Sequence, residues 1–191
     1  MDLVLASNNA HKLEEVIRIL GPLGIQVRPL REFPEIPDPP EDQDTFEGNA
    51  LQKARFVAER TGLAVVADDS GLEVDALDGA PGVHSKRYTP EAEAQTNNAK
   101  LLRALDGVRD RSGRFVCALA LVRGAREQVT RGTVEGTIGH ALQGEGGFGY
   151  DPLFWPAETP GRSMAELTAD EKDAISHRGR AFRQLPGLLV E

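Results

Sequence analysis

The sequence predicts an α/β protein: one mixed β-sheet with helices packed around it. Three observations lead there. Short apolar runs, Leu3–Ala6 and Leu63–Ala67, have the length of single buried strands. Helical spacing marks two one-sided helices, through Leu13, Val16, Ile17 and Leu20, then through Phe46, Ala50, Ala54, Val57 and Ala58. Arg114–Arg123 and Gln128–Ile138, joined through Gly124-Ala125, read as an antiparallel hairpin.

Taken in order, the strand at 3–6 passes through Ser7-Asn8-Asn9 into the first helix, which Gly21-Pro22 ends. Ile25–Val27 is a short second strand. Residues 33–44 hold four prolines and five acids, so they form a loop or lid. Thr45 caps the second helix, and the strand at 63–67 is expected to turn at Ser70-Gly71. An irregular Gly/Pro-rich stretch follows, to about Tyr88. Thr89-Pro90-Glu91 predicts a helix start, with Leu101, Leu102 and Leu105 on its apolar face. After the hairpin come a glycine loop at 144–149, a strand at Leu153–Trp155, and a helical region from Thr168 that carries Lys172, His177 and Arg178.

Composition bounds the function. A chain of 191 residues fits a single domain, 1–191, with a sizeable core. No apolar stretch approaches ~18 residues, so none spans a membrane, and Met1-Asp2-Leu3-Val4 lacks a basic region of secretory type. Cys117 stands alone in an apolar run, which predicts a buried thiol and a reducing cytoplasm. Its spacing to histidines 11, 84, 140 and 177 is not of zinc type. A net charge of −8 argues against nucleic-acid binding, while leaving room for a small anion at a local cluster of cations.

Five groups can carry chemistry. Asp68-Asp69 follow the apolar run 63–67, where adjacent carboxylates suit a divalent cation or an Asx-capped turn. Ser7-Asn8-Asn9-Ala10-His11-Lys12 leads from strand to helix, so free amides, the dipole and Lys12 suit a phosphate; a plain helix cap is the alternative. In Gly144–Phe154, four glycines in six residues allow close approach to a flat ligand, with Phe148 and Tyr150 offering ring faces. His177-Arg178 sets an imidazole and a guanidinium side by side near a helix end, where a basic dipole cap is the alternative. Glu41 in the acidic loop, with Asp42 and Asp44 as competitors, is a candidate to join Asp69 around magnesium. Lys53 reads by default as a surface lysine. Together the groups describe a nucleoside triphosphate site.

These residues resemble the inosine/xanthosine triphosphate pyrophosphatases, which remove deaminated purine nucleotides. The likeness runs through Ser7–Glu15, Thr45–Ala50, Ala67–Leu72, Gly79–Gly82, Gly146–Pro152, Ala165–Thr168 and Ser176–Gly179, nearly the whole chain. It implies a two-lobed α/β fold on a long mixed sheet with a central nucleotide cleft, magnesium, and a homodimer. By position, it assigns Ser7, Asn9, Lys12, Lys53 and Lys172 to the triphosphate, within a binding segment that includes Asn8, Ala10 and His11. Asp69 becomes the proton acceptor and a metal ligand, and Ser70 a substrate contact. Phe148, Gly149, Tyr150 and Asp151, with His177 and Arg178, hold the base. The acidic loop departs from the family pattern, so Glu41 as second metal ligand rests on its place in Pro39–Asp44.

The reaction so implied is hydrolysis of ITP, dITP or XTP between the α and β phosphates, with Asp69 activating water and magnesium neutralising phosphate oxygens. Arg178 or protonated His177 would donate to the 6-oxo group that adenine lacks. The alternatives are a magnesium-dependent phosphatase releasing orthophosphate and a nucleotide sensor without catalysis.

Overall fold

The computed structural model describes residues 3–190; Met1 and Asp2, part of the non-secretory reading, lie outside them. Six strands, β1 (Leu3–Leu5), β2 (Val27–Pro29), β3 (Ala64–Val74), β4 (Ser112–Arg123), β5 (Arg126–Ile138) and β6 (Phe154–Pro156), form one sheet in the order β2-β1-β3-β4-β5-β6. β1 is parallel to both β2 and β3, whereas β5 and β6 are antiparallel, so the sheet is mixed as predicted. The helices are α1 (Ala10–Leu20), α2 (Phe46–Thr61), α3 (Ala94–Ala104), α4 (Ala169–Ile175), α5 (His177–Phe182) and α6 (Leu185–Val190).

Strand order creates a specific opening. From β1 the chain crosses through α1 to β2 on one side, then through α2 to β3 on the other. Such a reversal leaves a crevice outside the carboxyl end of the central strand, where open α/β sheets bind ligands. β1 reaches only Leu5, paired with Val66, with one further bond from Ala6 N to Val66 O at 2.9 Å. β3 continues eight residues further, to Val74, beyond that pairing.

This corrects the reading of Asp68-Asp69 as a strand end. Ser70-Gly71 does not turn the chain; all four residues lie inside β3. Both carboxylates are buried, and they lie in β3 just beyond the point where the neighbouring strand β1 stops. Three other boundaries move. β2 starts at Val27, because a short 3-10 turn at Gly21–Leu23 and the left-handed Gly24 extend the end of α1. α3 begins at Ala94 rather than Thr89, whose hydroxyl and amide instead bind the Asn97 carboxamide oxygen at 2.8 Å each. The C-terminal helical region breaks at Ser176, whose extended backbone separates α4 from α5. His177-Arg178 therefore opens a helix instead of closing one.

By internal contacts the chain divides into two compact units, Met1–Asp69 with Cys117–Gly132 and His177–Glu191, and Ser70–Val116 with Thr133–Ser176. The first buries Leu3, Leu5, Val16, Val66, Leu119 and Phe182; the second buries Leu72, Leu101, Phe115, Val134, Phe154 and Met164. Each such side chain contributes roughly 1.5–3 kcal/mol on burial, so each unit has a core of its own.

Candidate active site

In the first unit, β3 distributes its two acids by strand alternation. Successive side chains leave a strand on opposite faces. Asp68 therefore shares the face of Val66, which packs with Leu13 and Val16 of α1 and Ala181 and Phe182 of α5. Its Oδ2 receives Lys12 Nζ at 3.2 Å and Arg178 Nε and Nη2 at 3.3 and 3.2 Å. Arg178 also donates through Nη1 to Glu15 Oε2 at 2.5 Å. Gly132 of β5 makes this possible: a Cβ there would collide with the His177 carbonyl and the Ala181 amide, so only glycine lets the start of α5 lie on β5. Burial alone would raise the Asp68 pKa, but Lys12, Arg178 and Lys53 outweigh it and hold the carboxyl well below the ordinary range.

Asp69 faces the other way, towards α2. Asn49 Nδ2 donates to its Oδ2 at 3.0 Å, and Lys53 Nζ lies 3.5 Å from its Oδ1. Asn49 and Lys53 are one helical turn apart, so α2 presents both on one face. Lys53 also meets Glu41 Oε1 at 2.6 Å, so one ammonium sits between two carboxylates from different segments. Burial raises the Asp69 pKa above its ordinary value, against the opposing pull of Lys53, Lys12 and Asn49. Lys53 moves upward, because Asp69, Asp68 and Glu41 together overcome the cost of its burial. Adjacent in sequence, the two acids have opposite environments.

The segment after β1 is preorganised. Asn9 caps α1 by accepting Lys12 N at 3.1 Å, and Ser7 Oγ accepts Asn9 N at 3.2 Å. The cap reading is observed, and capping aims α1 so that the positive end of its dipole stays compatible with an anion. Asn8, Ala10 and His11 are exposed, and Asn8 Nδ2 binds Asp38 of the acidic loop at 2.6 Å. Burial, with Lys53 and Arg178, pulls Lys12 below its ordinary pKa against Asp68. An added anion there would relieve that cationic crowding.

The second unit contains Ser70 and the glycine loop. Lys172 Nζ lies 2.7 Å from Asp151 Oδ2 and 4.8 Å from the centre of the Phe148 ring. The same Asp151 oxygen accepts Phe148 N at 3.0 Å. Gly147, at φ +68°, could carry no Cβ without striking this carboxylate. Tyr150 does not offer a free ring: it packs in the second core and its hydroxyl donates to Ser85 O at 2.7 Å.

The structure thus brings together Lys12, Glu41, Lys53, Asp68, Asp69 and Arg178 in one unit, and Phe148, Gly149, Asp151 and Lys172 in the other. Lys53 is buried, not a surface lysine. Arg178 is wholly buried between two carboxylates, so its guanidinium serves the acid network instead of standing open to a base. Sequence reasoning missed Asn49 and Glu15. Glu15 stands among the buried apolar residues of α1, and Asn49 among Phe46, Ala50, Ala54 and Val57 of α2 with Lys53 beside it, and that placement is the signal that could have found them. Cys117 is buried as predicted, and burial with Asp68 beside it pushes the thiol far upward. No helix among the described residues is long and apolar enough to cross a membrane.

An α/β sheet reversed at β1, with an acid-lysine network at the reversal, defines the class of a phosphate-handling protein. Comparison with known proteins narrows it. Residues 3–187 match the Ham1 family. A dITP/XTP pyrophosphatase of Exiguobacterium sp. is 50% identical, the match covering 100% of this chain and 97% of that protein. One from Geobacter sulfurreducens is 48% identical, over 96% of this chain and 94% of its own. The structure of a HAM1 protein from Coxiella burnetii superposes with a TM-score of 0.88 at 42% identity, over 100% of this chain and 98% of that one. The chain belongs to the Ham1 family, and the resemblance read from its motifs holds along its length.

Proposed function

We propose that this protein hydrolyses deaminated purine nucleoside triphosphates, dITP, ITP and XTP, to the monophosphate and pyrophosphate. The full-length match to relatives named dITP/XTP pyrophosphatase carries this reading. The geometry of Asp69 supplies its chemistry. A buried carboxylate, oriented by Asn49 and with its proton affinity raised by burial, suits a general base that takes a proton from water. Lys12, Lys53 and the start of α1 receive the phosphates, where positive groups stabilise charge on the departing pyrophosphate.

Magnesium belongs to this proposal. Among the described residues no group of three or more His, Cys, Asp or Glu could hold a metal ion. Glu41 and Asp69, however, already flank one cation, the Lys53 ammonium, and two carboxylates plus phosphate oxygens match the oxygen-only donor set of magnesium. Glu41 and Asp69 would hold the ion, which when bound supplies charge neutralisation at the phosphates. Asp68, committed to Lys12 and Arg178, supports the site from behind. Cleavage then protects nucleotide pools, and through them DNA and RNA, from deaminated bases.

For the base we propose Phe148 to Asp151, with His177. Lys172, paired to Asp151, moves from the triphosphate to this base-side group, and Ser70 remains a substrate contact. Arg178 acts by anchoring α5 rather than by touching the purine. A homodimer in the cytoplasm completes the reading, and sedimentation velocity at twice the chain mass is its check. One assay tests the whole: ITP, XTP, ATP and GTP are incubated with magnesium and the products identified. Pyrophosphate from ITP and XTP supports the proposal. Orthophosphate would mean a phosphatase, and no product a sensor.

A further inference from the structure

We infer that Asn98 is a positioning residue for base recognition: its carboxamide holds the Gly149 carbonyl and so aims the Tyr150 amide at the base. The inference rests on the base-side reading of residues 148–151 and deepens it. Asn98 lies on α3 and is buried. Its Nδ2 donates to Gly149 O at 3.1 Å, and its Oδ1 has no hydrogen-bond partner among the described residues. The orientation of the amide follows from that contact, because reversing it would set two oxygens against each other. Leaving a buried amide oxygen unpaired is costly, so shape alone does not account for asparagine here.

The adjacent residue sharpens the point. Asn97 is also buried, but uses both ends of its amide locally. Its Oδ1 accepts from Thr89 N and Oγ1 at 2.8 Å, and its Nδ2 donates to Ser85 O and Lys86 O at 3.4 and 3.1 Å. Asn97 is a staple for the turn ahead of α3. Among the described residues the Asn98 side chain makes a single hydrogen bond, and makes it to the loop.

The consequence follows from peptide geometry. In a trans peptide the carbonyl and the next N–H point in opposite directions. Holding Gly149 O against α3 therefore turns the Tyr150 N–H away from α3. Gly149, at φ +62°, has no side chain to resist rotation of this peptide. The bonds on either side of that peptide, Phe148 N to Asp151 Oδ2 at 3.0 Å and Asp151 N to Phe148 O at 3.2 Å, do not involve its own carbonyl or N–H. An outward N–H is a donor that a 6-oxo purine satisfies and a 6-amino purine does not. This backbone donor takes the role that the buried Arg178 cannot fill.

The test compares wild type with Asn98→Ala and the isosteric Asn98→Asp, measuring kcat/KM for ITP and ATP, inhibition by IMP and by pyrophosphate, and urea unfolding. In both variants the ITP-over-ATP preference and the affinity for IMP fall about tenfold, the scale of one hydrogen bond, while pyrophosphate inhibition stays within about twofold. A merely structural residue would weaken IMP and pyrophosphate together. That result, or an unchanged ITP-over-ATP preference, overturns the inference. If Asn98→Ala does not fold, Asn98→Asp alone decides by the same criteria. Wild type that releases no pyrophosphate from ITP defeats the base-side reading itself; active wild type with unaltered variants defeats only the role of Asn98.

Discussion

Buried charge is organised differently in the two units. In the first, partners are shared: Glu15 holds Arg178, Arg178 holds Asp68, Asp68 holds Lys12, and Lys53 lies between Asp69 and Glu41. In the second, Asp151 and Lys172 form an ion pair beside the Phe148 ring, and Asp151 also accepts the Phe148 amide. A shared network distributes the loss of any member over several neighbours, whereas the loss of one member of a pair is felt first by the other. The first arrangement suits a site that must stabilise added negative charge; the second suits a rigid loop that recognises shape.

The largest contrast is expected from Arg178→Met. It removes the guanidinium that Asp68 and Glu15 share in the core, and breaking a buried ion pair costs about 3–5 kcal/mol. Urea unfolding should show that loss; a change under about 1 kcal/mol would dissolve the claimed network. Lys172→Met should cost less, about 1–3 kcal/mol, since Asp151 keeps the Phe148 amide. Coupling comes next: Glu15→Gln and Arg178→Met, which form one ion pair, should be non-additive by about 0.5–3 kcal/mol, while Lys172→Met and Arg178→Met, which belong to different units, should add within about 0.5 kcal/mol. Equal coupling in both double mutants would erase the distinction between the units.

The smallest effect concerns pH. The Asp68 pKa is depressed in the folded state, so its contribution is complete above the unfolded value near ~4 and is lost as pH falls towards the folded one. Stability of the wild type should therefore fall on acidification below about pH 4, and Asp68→Asn should flatten that limb. An unchanged acid limb in Asp68→Asn would place the sensitivity elsewhere.

Much of the fold was legible because its signals are local. The apolar faces of α1 and α2, the Thr45 cap, and the hairpin turn at Gly124-Ala125 all act within a few residues. Ser70-Gly71 misled, since glycine and serine favour turns while the length of β3 is set by its neighbours. Side-chain roles were less legible. Arg178 finds Asp68 110 residues away and Glu15 163 residues away, so its charge is visible in the sequence but its commitment is not. Asn49 was hidden for the opposite reason: a polar residue on an amphipathic helix reads as solvated until its face is known. Strand alternation, by contrast, was available from the start. It predicts that Asp68 and Asp69 face apart, and it explains how two adjacent acids coexist before any metal is considered.

The central claim is that Asp69, on the α2 face of β3, activates the water. Its most direct test is pyrophosphate release from ITP by Asp69→Asn, with ITP binding measured alongside in the presence of magnesium. The account predicts turnover reduced at least ~10³-fold, within the range removed with a general base, while binding changes by less than about tenfold. Turnover near the wild-type rate would contradict it.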